Sequence, residues 1–186
     1  MKWDSHYAIA DQLYEELIRP IFPQYHKEIR DGSVYPDKQK YSLPHHFDRE
    51  DDIENYIGKA RSLRLKGKPG QAIFNLGIAL HYLQDKWTAV NGSHEKHELY
   101  ETLLTKCTIQ PWETDLSIHY PILSDGAFEE FNKLFTYCDQ KPVNHENLAQ
   151  YVRHWKPSES NAFLDLNMAY RLSYRVAENV LQPIKN

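Results

Sequence analysis

The most apolar helical segment of the chain is QAIFNLGIALHYLQDKW at residues 71–87. Apolar residues occupy nearly every side of the helix that this segment would form, which predicts a helix at the centre of a bundle. On that helix His81 and Asp85 lie one turn apart on the same face. An unpaired carboxylate is costly in an apolar interior, so the pair predicts a bound cation or a charged partner.

Helical spacing continues on both sides of this central segment. Toward the N-terminus, a helix is predicted as far as Ile18, with Asp4 or Ser5 as its N-cap and with Pro20 and Pro23 closing it. The other predicted helices cover about 51–65, 94–105 with Ser93 as N-cap, 125–137, 144–155 and 160–182.

Residues 31–48 contain Gly32, Pro36 and Pro44 and have no steady period, so we predict an irregular loop there. Strand patterns are scarce, and no long polar linker divides the chain. The prediction is therefore a single all-α domain over residues 1–186, a multi-helix bundle of about six or seven helices.

The chain has 186 residues and a formal net charge of −4. This charge excludes the basic face of a duplex-binding protein, so no duplex nucleic acid partner is predicted. No apolar run approaches the roughly 20 residues of a membrane helix, and the N-terminal residues lack the features of a signal peptide. We therefore expect a cytoplasmic protein with at most transient contact with a membrane surface and no obligate protein partner.

Ten residues are His, and four of them have a carboxylate four positions later. The pairs are His46/Glu50, His81/Asp85, His94/Glu98 and His97/Glu101. Imidazole and carboxylate suit zinc, although this ligand set also suits manganese or iron. For His97/Glu101 taken alone, a salt bridge on the helix surface is an equally good interpretation.

The stretch 58–85, GKARSLRLKGKPGQAIFNLGIALHYLQD, closely resembles the core of bacterial zinc-dependent phospholipase C, a family related to fungal single-strand-specific zinc nucleases. Its LGxxLHYLxD pattern is specific to that family. The segment GSVYPD at 32–37 resembles the family's loop that ends in an Asp ligand, and HHF at 45–47 resembles its Ser-His-Phe ligand motif. His97 and Glu101 resemble the last ligand pair, and Trp3 and His6 match a Trp and a His that open the first helix.

The resemblance implies two or three Zn²⁺ ions. It implies one ion held by Asp37, His46, His81 and Asp85, and a second held by His97, Glu101 and one further His. The family has that His six residues after the Asp, where this chain has Asn91, and we predict that His94 takes its place.

A third ion would use His6, with Asp85 bridging to it. In the family, the Trp is the mature N-terminus and chelates through its amine and carbonyl. Trp3 follows Met1 and Lys2, so a third ion requires either removal of these two residues or a rearranged terminus.

The function that the resemblance implies is a zinc-dependent phosphodiester hydrolase of the phospholipase C type, with a phospholipid as substrate. Asp37 is the predicted catalytic residue, which would orient the attacking water or accept its proton. Tyr35 and Phe47 adjoin predicted ligands and are expected to line the substrate cleft. The alternatives are a single-strand nuclease or nucleotide phosphodiesterase, and a non-catalytic metal-binding helical protein.

Overall fold

A computed structural model of the chain describes residues 1–39, 50–88, 93–114 and 162–181. Within these ranges the protein forms six α-helices and no strand, which confirms the all-α class. The helices are α1 (Trp3–Leu13), α2 (His26–Lys38), α3 (Glu50–Leu65), α4 (Pro69–Trp87), α5 (His94–Lys106) and α6 (Ala162–Leu181). The helices predicted at 125–137 and 144–155 lie outside the described residues.

The predicted central helix is α4. It packs along its length against α2 and α3, and it also contacts α1 and α6. Ile73, Leu76 and Leu83 have no exposed surface, as expected for a helix that is apolar on most sides. The helix begins at Pro69, two residues earlier than predicted, because proline fits the first helical turn, where its missing N–H has no helical partner.

The prediction of an irregular loop over residues 31–48 is wrong for residues 31–38, which form the second half of α2. Pro36 lies inside this helix, although it cannot donate the hydrogen bond to the carbonyl of Gly32. Burial of Ile29 and Val34 outweighs that loss, since neither side chain is exposed. Asp37 therefore projects from the last turn of a helix, and residues 40–48 lie outside the described part of the chain.

The predicted N-cap of α1 is also wrong, because the helix starts before Asp4 and Ser5. Its N-cap is Lys2, which makes no side-chain capping bond. Asp4 lies in the first helical turn, where a negative charge interacts favourably with the helix dipole. The helical segment ends at Ile18 as predicted, and its last residues form a π-helical turn over Tyr14–Ile18. By contrast, Ser93 caps α5 as predicted by accepting a hydrogen bond from the N–H of Lys96.

Two glycines allow α2 and α4 to approach closely. A Cβ atom added to Gly32 would lie 2.2 Å from the carbonyl oxygen of Phe74, and one added to Gly77 would lie 2.8 Å from that of Ile29. Both distances are shorter than real Cβ contacts, so only glycine fits at this crossing. The close crossing brings the backbone of α2 to the ring of His81, one turn further along α4.

None of the helices in the described ranges is both long enough and apolar enough to span a membrane.

Candidate metal centre

The candidate metal centre lies where α1, α2 and α4 meet. His6 on α1 and His81 and Asp85 on α4 each offer a ligand atom, and these atoms all lie within 4.8 Å of one another. Neither imidazole is exposed to solvent, and the two rings stack with their centroids 4.3 Å apart. Helix packing thus brings His6 next to His81 and Asp85, which lie 75 or more positions further along the sequence.

The carboxylate of Asp85 lies beside the Nε2 atoms of both stacked rings. Its Oδ1 lies 3.2 Å from Nε2 of His6, and its Oδ2 lies 3.1 Å from Nε2 of His81. Each carboxylate oxygen therefore faces a different imidazole. This is the arrangement that a bridging carboxylate needs if one ion is bound on each side.

Both rings are oriented by hydrogen bonds on the side away from Asp85. His81 donates from Nδ1 to the main-chain carbonyl of Ser33 at 2.9 Å, and Nδ1 of His6 lies 2.7 Å from Oε1 of Gln84. Contacts of this kind fix the tautomer and the angle of metal-binding imidazoles. Ser33 and Gln84 were not among the predicted site residues, because only the crossing of the helices places them beside the rings.

A cation already occupies one edge of the centre. The α-ammonium of Met1 lies 2.7 Å from Oδ1 of Asp85 and 3.0 Å from Oε1 of Glu101 on α5. Burial opposes its charge, but the two carboxylates outweigh burial and raise the pKa of the Met1 amine to about 10. Lys2 holds this segment against α5 by donating to Thr102 at 2.7 Å. No sequence pattern pointed to the amine of Met1, and Trp3 is partly exposed.

The charges around the centre shift the pKa values of its members in different directions. Burial and the neighbouring His81 ring lower the pKa of His6. Burial also opposes charge on His81, but the carboxylates of Asp85 and Asp37 outweigh it and raise the pKa of that ring. The pKa of Asp85 is well below its usual value, because the Met1 ammonium and the two imidazoles outweigh burial. At neutral pH the centre thus retains a carboxylate that is surrounded by nitrogen atoms.

Asp37 and the His97/Glu101 pair also lie close to this group. Oδ1 of Asp37, at the end of α2, is 3.9 Å from Nε2 of His81. On α5, Nε2 of His97 is 3.2 Å from Oε1 of Glu101. The Met1 ammonium contacts that same Glu101 oxygen, which connects the His97/Glu101 pair to Asp85.

The structure does not bring His94 together with the other predicted ligands. Its side chain is 85% exposed, and its Nε2 lies 3.8 Å from Glu98 on the next turn of α5. Tyr35 is partly buried against Phe74, with ring centroids 5.2 Å apart. The predicted ligand His46 and the predicted cleft residue Phe47 lie outside the described residues. The metal and substrate roles of these four residues stay predictions.

The residues of the centre fit a zinc ion. Nε2 of His6 is buried and makes no hydrogen bond with any residue that the structure describes, although a carboxylate oxygen lies 3.2 Å away. Two imidazole nitrogens and a carboxylate form a donor set that zinc accepts without cysteine. The position of the Met1 ammonium between two carboxylates is a second sign that this region stabilises positive charge.

Comparison with known proteins gives the class to which this fold and centre belong. The model of the zinc dependent phospholipase C family matches residues 5–165, so the chain belongs to that family of hydrolases. This confirms the resemblance to the family and makes zinc the expected metal.

A solved structure gives the same fold. The alpha-toxin of Clostridium perfringens, isolated from the avian strain SWCP, is 20% identical to this chain with a TM-score of 0.55. The alignment covers 95% of this chain and 63% of the toxin, so this chain spans less than two thirds of the toxin's length. A search of curated protein sequences gave no match.

Proposed function

We propose that this protein is a zinc-dependent phosphodiester hydrolase that cleaves the head-group phosphodiester of a phospholipid. The products would be a phosphorylated head group and diacylglycerol. The observation that carries the proposal is the carboxylate of Asp85, whose two oxygens each face the Nε2 atom of a buried imidazole. Membership of the zinc-dependent phospholipase C family supports the phospholipid as the substrate class.

The residues would form three groups of ligands, and Asp85 would belong to two of them. His6 with Oδ1 of Asp85 would hold one ion, and His81 with Oδ2 of Asp85 and Asp37 would hold another. His97 and Glu101 would hold a further ion next to them. The proposed total is two ions, or three where removal or rearrangement of the terminus takes the Met1 ammonium away from Oδ1 of Asp85. Zinc ions in such a cluster supply a nucleophilic water at neutral pH and stabilise the charge on phosphoryl oxygens.

Asp37 is the proposed catalytic residue. It lies on the side of His81 that faces away from the Ser33 carbonyl, and its carboxylate is close enough to the centre to orient a water and accept its proton. The last turn of α2 holds it there, and the close crossing of α2 and α4 sets the distance. An Asn at this position would keep the shape and lose the proton acceptor.

A protein with a net charge of −4 repels an anionic substrate overall, so binding requires a local source of positive charge. The metal centre supplies that positive charge locally, because bound cations are the largest charges in such a site. A basic surface is therefore not required for binding a phosphodiester.

The proposal is tested by hydrolysis of phosphatidylcholine in mixed micelles, measured as released phosphorylated head group. We expect turnover with zinc, loss of turnover with a chelator, and recovery when zinc is added back. Asp37→Asn is expected to lower kcat by at least about 100-fold, the lower range for loss of a general base. Asp31→Asn is the matched control, since Asp31 lies on the same helix and pairs with the exposed Lys27.

The same samples separate the alternatives. Cleavage of single-stranded oligonucleotide in place of phospholipid would identify a nuclease and contradict the proposed substrate. One tightly bound ion with no turnover on either substrate, or on a chromogenic phosphodiester, would identify a metal-binding protein without catalysis. Unchanged kcat in Asp37→Asn would remove that residue from the catalytic role.

A further inference from the structure

A chain of buried side chains runs from His6 to the C-terminal helix. Nδ1 of His6 lies 2.7 Å from Oε1 of Gln84 on α4, and Nε2 of Gln84 lies 3.0 Å from Oγ of Ser173 on α6. Ser173 then donates from its hydroxyl to the carbonyl of Ala169 at 2.7 Å. His6, Gln84 and Ser173 are all at most 1% exposed, so water does not compete for these bonds.

The direction of every bond in this chain follows from its last member. The carbonyl of Ala169 only accepts, and the single hydroxyl proton of Ser173 is used on it, so Ser173 must accept from Gln84. The amide nitrogen of Gln84 therefore faces Ser173, and its oxygen faces His6. Because that oxygen only accepts, Nδ1 of His6 must carry the proton.

Nε2, on the opposite side of the ring, then carries no proton. In a neutral imidazole with the proton on Nδ1, Nε2 has a lone pair. This lone pair points toward Oδ1 of Asp85 at 3.2 Å, and these two acceptors share no hydrogen bond, while Oδ1 accepts one from the Met1 ammonium at 2.7 Å. A cation between them is what makes such a pair favourable.

We infer that Gln84 and Ser173 are positioning residues that hold His6 in the Nδ1–H tautomer and thereby present its Nε2 lone pair to a metal ion shared with Asp85. The inference rests on the proposed function, since it concerns the zinc centre of that same site. Neither residue touches the ion. Their contribution is to zinc affinity, and it reaches the centre from α6, a helix that supplies no proposed ligand.

The first test needs no variant. ¹⁵N-detected NMR of the histidine rings distinguishes the two tautomers, and it is recorded on the zinc-free protein at a pH where the rings are neutral and again with zinc bound. We expect the His6 proton on Nδ1 in both samples. A proton on Nε2 of His6 in the zinc-free protein would overturn the inference.

The second test measures zinc affinity by competition with a chromophoric chelator, together with zinc stoichiometry. Gln84→Met keeps the volume and removes both hydrogen bonds, and we expect a 10- to 100-fold weaker Kd for one ion, the usual effect of losing an outer partner of a ligand. Gln84→Glu keeps an acceptor for Nδ1 and is expected to retain wild-type affinity. Ser173→Ala is expected to weaken affinity less than Gln84→Met.

Asn75→Leu is the matched control, because Asn75 is another buried amide of α4 and donates to Gln71 within its own helix. It is expected to leave zinc affinity unchanged even where it lowers the melting temperature. Wild-type affinity in a folded Gln84→Met would overturn the inference, as would equal losses in Gln84→Met and Gln84→Glu. If the wild-type protein takes up no zinc, the proposed function fails. The tautomer of His6 in the zinc-free protein still tests whether Gln84 and Ser173 fix the proton on Nδ1.

Discussion

Replacing Gly32 by alanine tests whether the close crossing of α2 and α4 builds the metal centre. The added Cβ would lie 2.2 Å from the carbonyl oxygen of Phe74, so the helices must separate by about 0.8 Å to reach even 3.0 Å. A backbone carbonyl cannot rotate out of the way as a side chain can. We therefore place the cost at the upper end of the range for overpacking, about 3 kcal/mol.

Part of this cost is offset, because alanine is about 1 kcal/mol better than glycine within a helix. The expected net loss in the free energy of unfolding is about 2 kcal/mol, which lowers the melting temperature of a chain of this length by about 4–8 °C. The same separation moves the Ser33 carbonyl away from Nδ1 of His81, so zinc affinity is expected to fall by about 10-fold or more.

The assay is thermal unfolding followed by circular dichroism, with zinc affinity measured on the same preparations. Gly58→Ala is the control, since Gly58 lies inside α3 and a Cβ there would meet nothing within 4 Å. That variant is expected to gain about 1 kcal/mol from helix propensity alone. A melting temperature of Gly32→Ala at or above that of the wild type, alongside a stabilised Gly58→Ala, would show that the crossing of α2 and α4 accommodates a side chain at position 32.

Three other measurements follow from the charges and hydrogen bonds. Asp85→Ala is expected to lose bound zinc and about 3 kcal/mol of stability, because the buried nitrogens of His6 and His81 lose their shared carboxylate. Elemental analysis measures the zinc and urea unfolding measures the stability. The control is Asp31→Ala, which removes a surface ion pair and is expected to change the stability by no more than about 0.5 kcal/mol. Zinc at 100 times its Kd is expected to add about 2.7 kcal/mol to the stability of the wild type, an increase that a chelator reverses and whose absence would contradict zinc binding by the folded state. Burial and the carboxylate of Asp165 raise the pKa of Tyr100 above that of an unfolded tyrosine. The contribution of Tyr100 to stability is thus fully present below about pH 10 and falls by about 1.4 kcal/mol per pH unit above it. Tyr100→Phe, compared with the wild type by urea unfolding at pH 7 and above pH 10, is expected to lose less stability over this pH range.

The sequence alone predicts the helices well where their signals are local. The apolar spacing of α3, the Ser93 cap of α5 and the continuous apolar surface of α4 all act within one or two helical turns, so no knowledge of the fold is needed. The His81/Asp85 pair is local in the same sense, since it depends only on helical spacing.

The errors come from residues whose role depends on another helix. Gly32 and Pro36 are typical of a turn, yet here Gly32 serves the close contact with α4 and Pro36 is tolerated within the packed helix. Helix α1 begins at Trp3, before the predicted caps, and the preceding Met1 is held by carboxylates on α4 and α5. No local pattern contains this information.

The same distinction explains which parts of the candidate site were found. The resemblance to the family identified His6, which has no spacing partner of its own, and the structure places it against Asp85. Gln84 and Ser173 carry no signal in the sequence, because a buried glutamine and serine become meaningful only once α1, α4 and α6 are packed.

The hydrogen bonds that orient the two imidazoles differ in how easily a mutation removes them. The partner of His81 is a main-chain carbonyl, which every amino acid at position 33 would supply, so this ring keeps its acceptor under any substitution that leaves the helix in place. The partner of His6 is the side chain of Gln84, which is itself oriented by the side chain of Ser173. A single substitution at Gln84 or Ser173 therefore removes at least one of these hydrogen bonds. In a comprehensive library of single substitutions scored for zinc binding, more substitutions would therefore disturb the orientation of His6 than that of His81. Ser33→Ala would keep zinc affinity, while Gln84→Met would lower it.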